Sequence, residues 1–123
     1  MNNLKNWKCE TCRKDAPGVT REEIADFQSQ FPNWQILEVG GEPRLQREYS
    51  VADFQAALDF ANRVGAEAET QNHHPAFTVE YGKITVAWWT HTIKNISGND
   101  LVMAAKTDQL FAAGIYKMHF TAG

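Results

Sequence analysis

Phe77-Thr78-Val79-Glu80-Tyr81-Gly82-Lys83-Ile84-Thr85-Val86-Ala87-Trp88-Trp89-Thr90-His91 reads as two strands joined at a glycine. The expected strands are Phe77 to Tyr81 and Lys83 to His91, with Gly82 between them. Successive side chains of a strand point to opposite faces. Ile84, Val86, Trp88 and Thr90 therefore share one face, and Thr85, Ala87, Trp89 and His91 share the other. The first set is the more apolar and is the predicted core face. Trp89 and His91 are expected on the opposite, more open side.

Upstream of this hairpin, Phe54, Ala57, Leu58, Ala61 and Val64 form a helical stripe. A capping box is expected at Ser50-Val51-Ala52-Asp53. One interior glycine costs a helix only about 1 kcal/mol, so the helix is expected to pass Gly65 and end near Thr70. Asn72-His73-His74-Pro75 is its exit. Before it, Trp34 to Val39 and Arg44 to Tyr49 flank a predicted turn, Gly40-Gly41-Glu42-Pro43, and read as a first hairpin. Thr20-Arg21-Glu22-Glu23 caps an earlier helix carrying Ile24, Phe27 and Phe31 on one face. Downstream, Ser97-Gly98-Asn99-Asp100 caps a last helix that Gly114 closes. Its apolar face, from Leu101 to Phe111, is broader than one sheet contact needs, which points to a subunit boundary.

The predicted order is helix, strand, strand, helix, strand, strand, helix. Two hairpins and three helices predict an α+β single domain, a four-stranded antiparallel sheet with the helices packed on one face. The chain of 123 residues is divided into an N-terminal flexible segment (1–16), a domain (17–114) and a tail (115–123). Hydrophobic residues at 43% are enough for a core, and the formal charge of −3 argues against a nucleic-acid partner. No apolar run approaches the ~18 residues of a membrane span, and the first residues do not resemble a signal peptide, so a soluble cytoplasmic protein is expected. Cys9 and Cys12 supply half of a zinc site at most.

Three of the four histidines, His73, His74 and His91, fall between the predicted helix exit and the strand end. Histidine titrates near neutrality and is the usual side chain for moving protons. Each neighbouring group also has an ordinary structural reading. Asp100 is the third helical residue of a capping box, Glu69 is an exposed acid, and Tyr81 flanks the Gly82 turn. Pro75 biases His74 toward an extended backbone. A three-histidine zinc site is disfavoured, since adjacent histidines rarely reach one ion together and no acid stands at metal-motif spacing.

In order, the chain has Glu69, three residues, His73-His74-Pro75, five residues, Tyr81, nine residues, His91, eight residues, Asp100. This pattern resembles the signature of the pterin-4a-carbinolamine dehydratase family (4a-hydroxytetrahydrobiopterin dehydratase) at every anchor. The resemblance covers roughly residues 17 to 113. It implies loss of water from the 4a-hydroxy pterin released by aromatic amino acid hydroxylases, giving quinonoid dihydropterin, with no metal or cofactor. It also implies a homodimer or homotetramer. By the same resemblance His73 and His91 are the proton-transfer pair, while His74 binds substrate. Glu69 and Asp100 would orient imidazoles, Phe77 and Trp89 would stack on the pterin or wall its pocket, and Pro75 and Tyr81 would support the site. Relatives often carry a small residue where this chain has Trp89, which bears on the substrate more than on the chemistry. Two other readings are open. One is a non-catalytic dimerisation cofactor or regulatory binding protein, and the other a dehydratase for other pterins, including those related to molybdenum cofactor.

Overall fold

Gly40 and Gly41 have φ of 61° and 82°, a region that L side chains rarely adopt. They close a two-residue loop between β1 (Gln35–Val39) and β2 (Glu42–Ser50), with Val39 opposite Glu42. The expected four-residue turn is thus half as long, and Glu42 and Pro43 belong to β2. Pro43 is accommodated because β4 (Lys83–Trp88) pairs with β2 only from Leu45 onward. The computed structural model describes residues 18–116, so Cys9, Cys12, the 1–16 segment and most of the tail lie outside the described residues.

The remaining elements are α1 (Arg21–Gln30), α2 (Phe54–Gln71), β3 (Ala76–Glu80) and α3 (Gly98–Ala113). The order matches expectation, and the four strands form one antiparallel sheet in the order β1-β2-β4-β3. The two hairpins lie side by side, with β2 and β4 at the centre. Thr20 caps α1 in a complete capping box: its hydroxyl accepts from the Glu23 N–H at 3.1 Å, and Glu23 Oε1 accepts from the Thr20 N–H at 2.9 Å.

The cap of α2 differs from expectation. Ser50 stays in the ladder opposite Lys83, so the chain cannot turn into a helix there. Asp53 caps instead, its Oδ1 accepting from the Ala56 N–H at 2.8 Å. α2 does run through Gly65, and Asn72 ends it in the left-handed region at φ 53°. The His73 N–H then bonds to the Ala68 carbonyl at 3.1 Å, and the Asn72 N–H to the Glu69 carbonyl at 3.3 Å. This pair of bonds is a Schellman motif, which turns His73 out of the helix.

The core lies between the sheet and the helices. Ile84, Val86 and Trp88 are fully buried on the predicted face of β4, joined by Leu45 and Tyr49 of β2. Trp34, Phe60, Leu101 and Met103 close over them. Burial of each such side chain contributes about 1.5–3 kcal/mol. α3 is buried on consecutive residues from Asn99 to Ala105, wedged against α2, β2 and β4. Its broad apolar face is therefore covered within the chain, and a subunit boundary is not needed to explain it. Exposed apolar side chains sit instead on α2, at Phe54 and Leu58, and on the edge strand β1, at Leu37 and Val39.

One polar cluster interrupts this core. Asp108 Oδ1 accepts from Trp34 Nε1 at 3.1 Å and Arg47 Nη1 at 2.7 Å, and also from the Tyr49 hydroxyl. Arg47 shares the core face of β2 with Tyr49, so its charge is tolerable only with this carboxylate beside it. Burial, and then the Asp108 charge, push the Tyr49 phenol well above its ordinary range, so it remains a donor. Asp108→Ala would strand three donors in a largely buried setting. The expected loss is about 3 kcal/mol or more in urea unfolding, with Asp108→Asn losing less.

Candidate functional site

At one end of the sheet, the C-terminus of α2, the start of β3, the end of β4 and the N-terminus of α3 come together. Strand β4 stops at Trp88, three residues earlier than expected, because the chain then folds back on itself. The Thr90 N–H donates to the Asn95 carbonyl at 2.8 Å, and residues 91–94 form the intervening turn. The reversal places His91 at an exposed corner and returns the chain to Ser97.

Asp100 is fully buried and uses both carboxylate oxygens. Oδ2 accepts from the Ser97 N–H at 2.8 Å and the Thr90 hydroxyl at 2.8 Å. Oδ1 lies 2.5 Å from His73 Nε2. A carboxylate can only accept, so Nε2 carries the proton in this pair and Nδ1 is left as the ring's free nitrogen. The two readings of Asp100, helix cap or imidazole partner, are both true of its geometry. The His73 ring also lies nearly parallel to the Trp88 indole, at 7° and 5.8 Å between centroids. Trp88 is fixed in turn by its Nε1–H, which donates to Thr107 Oγ1 at 3.1 Å.

His74 pairs with Glu69, the residue on the last turn of α2 that the spacing singled out. Both side chains are largely exposed, at 53% and 76%, so the pair adds little to stability. It does hold His74 beside the helix end. His91 has neither arrangement: its ring packs at 4.5 Å on Trp89. Trp89 was expected on an open side, yet it is only 6% exposed, with the Arg44 guanidinium 3.8 Å over its ring and the His91 ring 4.5 Å away. With that face of the indole covered, Trp89 forms a wall for His91.

Of the other two aromatic candidates, Phe77 stands at the start of β3 on this end of the sheet and Tyr81 stands at the opposite end of the hairpin. Phe77 faces the helices opposite Val86 and packs against the core. Tyr81 is 73% exposed in the β3–β4 turn, at the far end of the hairpin from Ala76 and Ala87. Pro75 is partly buried and leads directly into β3. Residues not singled out beforehand are Arg44, Trp88, Ser97 and Thr107, together with the Thr90 hydroxyl. Ser97 carried a capping signal and Thr90 a core-facing register, but neither signal pointed to Asp100 as their shared partner. Among the described residues, no three His, Cys, Asp or Glu side chains are grouped as metal ligands.

Comparison with known proteins gives a consistent set of relatives. A model of the family described as Pterin 4 alpha carbinolamine dehydratase matches residues 17–110. Two curated relatives share the name "Putative pterin-4-alpha-carbinolamine dehydratase". The one from Syntrophotalea carbinolica is 56% identical over 89% of this chain and 98% of its own length. The one from Nitrosococcus oceani is 49% identical over 89% of this chain and 97% of its own. A solved structure described as a transcriptional coactivator/pterin dehydratase from Brucella melitensis superposes with a TM-score of 0.68 at 26% identity. It covers 76% of this chain and 98% of that one.

The Thr90 hydroxyl is the testable support of this end of the sheet. Thr90→Val keeps the branched side chain but removes one of the donors to Asp100. The expected cost is about 1–2 kcal/mol in chemical unfolding, with a shifted His73 imidazole signal in NMR. An unchanged signal at His73 would mean that Thr90 does not hold the pair.

Proposed function

The chain belongs to the pterin-4-alpha-carbinolamine dehydratase family, a family of hydro-lyases, and from that premise we propose that it dehydrates 4a-hydroxytetrahydropterin to quinonoid dihydropterin. The observation that carries the reading is the His73–Asp100 pair, set at the family's spacing and buried on the carboxylate side.

The chemistry needs one proton delivered and one removed. Hydroxide leaves poorly from C4a, so an acid must protonate that oxygen while N5 gives up its proton. Both steps run best with groups that titrate near neutral pH. His73 and His91 rest on successive residues at the end of β4, whose side chains point to opposite faces of the sheet. His73 stands on the helix side with Asp100 and Trp88, and His91 stands on Trp89. A flat bicyclic ring lying across the strand end would meet one imidazole from each side. Asp100 fixes the tautomer of His73, so Nδ1 is the atom that exchanges the proton. His74, tied to Glu69 beyond the helix end, would hold the polar edge of the pterin.

In this reading the protein acts in the cytoplasm, recycles the pterin used in aromatic amino acid hydroxylation, and needs neither metal nor cofactor. His73→Ala and His91→Ala are each expected to lower kcat by about 10²–10⁴-fold, the usual weight of a general acid or base. His74→Ala is expected to raise KM more than it lowers kcat. Formation of the quinonoid product, followed by its absorbance, is the measurement, with a chelator-treated sample expected to retain full activity. A wild-type chain that does not accelerate the dehydration would instead support a scaffold or regulatory role. Metal-dependent activity would overturn the acid–base assignment.

We also infer a homo-oligomer. Phe54 and Leu58, one turn apart and 46% and 36% exposed, give α2 an apolar strip that a second copy can cover. Leu58→Glu is expected to lower the mass in sedimentation equilibrium toward that of one chain, with secondary structure retained. An unchanged mass would exclude this strip from the interface.

A further inference from the structure

The three histidines of the site are supported in two different ways. His73 and His74 each have a carboxylate partner. Among the described residues, the His91 ring has no hydrogen-bond or ion-pair partner, and its one ring contact is Trp89. Trp89 is itself held by a cation: the Arg44 guanidinium lies 3.8 Å over the indole. Arg44 has no carboxylate partner among the described residues, and its buried Nε has no acceptor.

A buried guanidinium nitrogen without an acceptor is unusual, because burying an unmatched donor is unfavourable. The position of the guanidinium over the Trp89 ring accounts for it. Arg44 stands one step beyond the Leu45–Trp88 pair, next to Trp89 on the face of the sheet away from the core. A guanidinium set over an indole ring gains from the negative ring face and from its weak hydration, which an ammonium does not match. That contact pins Trp89 in one orientation, and Trp89 is the surface on which His91 rests.

We propose that Arg44 is a positioning residue for the dehydration, acting through Trp89 to fix the His91 imidazole. The Arg44–Trp89–His91 contact chain does for His91 what Asp100 does for His73, with one difference. A carboxylate occupies a ring nitrogen of its histidine, whereas the Trp89 indole, inclined at 51° to the His91 ring, leaves both nitrogens of His91 free for proton transfer. The proposal rests on the dehydratase reading for its kinetic consequence but not for its geometry.

The test uses Arg44→Met, which keeps an aliphatic side chain on the indole but removes the cation, with Arg44→Lys and Trp89→Leu as companions. Arg44→Met is expected to lower kcat about three- to tenfold, the weight of one cation–π contact, with KM changed less than twofold. Arg44→Lys should recover part of that loss. In a Trp89→Leu background, Arg44→Met should have no further effect, because the path to His91 is already broken. Imidazole NMR supplies a readout independent of activity: Arg44→Met should shift the His91 ring resonances and leave those of His73 in place. A KM effect alone would make Arg44 a substrate contact and overturn the proposal, as would additive losses in the double variant or an unmoved His91 signal. If the wild-type chain proves inactive, the NMR arm still decides whether Arg44 acts on His91 through Trp89, so the failure of the dehydratase reading and the failure of this one are distinguishable.

Discussion

A single carboxylate, that of Asp100, connects the helix layer, the sheet end and the histidine cluster. It is fully buried, and such a group is stable only when its lone pairs are met by donors. The donors come from three places in the chain: Ser97 before α3, Thr90 after β4, and His73 after α2. Satisfying the charge therefore forces three connections to converge. The fold and the candidate site are not separable here, since the group that starts a helix is also the group that orients an imidazole.

A second carboxylate on the same helix does similar work elsewhere. Asp108 gathers Trp34, Arg47 and Tyr49, so α3 is tied to the first hairpin at one point and to the second at another. Between the two, Thr107 accepts from Trp88 and donates to the Met103 carbonyl at 2.6 Å. These bonds set the axial position and rotation of α3 against the sheet, which apolar packing alone specifies loosely. They also explain why a helix buried on so many sides can remain within one chain.

Much of this is legible in the sequence alone. The alternation from Ile84 to Trp88 set the core face of β4 correctly, and the Thr20 and Ser97 capping signals mark true helix starts. Two local misreadings have a common cause. Turn and cap chemistry alone predicts a helix cap at Ser50 and a turn at Glu42-Pro43, but strand pairing extends β2 over both. Cross-strand hydrogen bonds override local preference when the partner strand is available, and the partner is not visible in a linear reading. The site follows the same rule. Glu69, His73, His74, His91 and Asp100 could be picked out by type and spacing, whereas Arg44, Trp88 and Thr107 could not. Those three residues matter through what lies across the sheet or the core from them.

The sequence by itself determined the elements, their order and the buried face of β4, because each depends on neighbours within a few positions, and it singled out the candidate histidines by type and spacing. Tertiary structure decided the strand order β1-β2-β4-β3, the covering of α3 within the chain and the pairing of each histidine. It also placed Trp89 beneath Arg44 rather than on an open face. The physical reason is the same in each case: a buried charge or an indole face is satisfied by whichever group folding brings within a few ångströms. Spacing along the chain says that such a group is needed, and only the packed structure says which one it is.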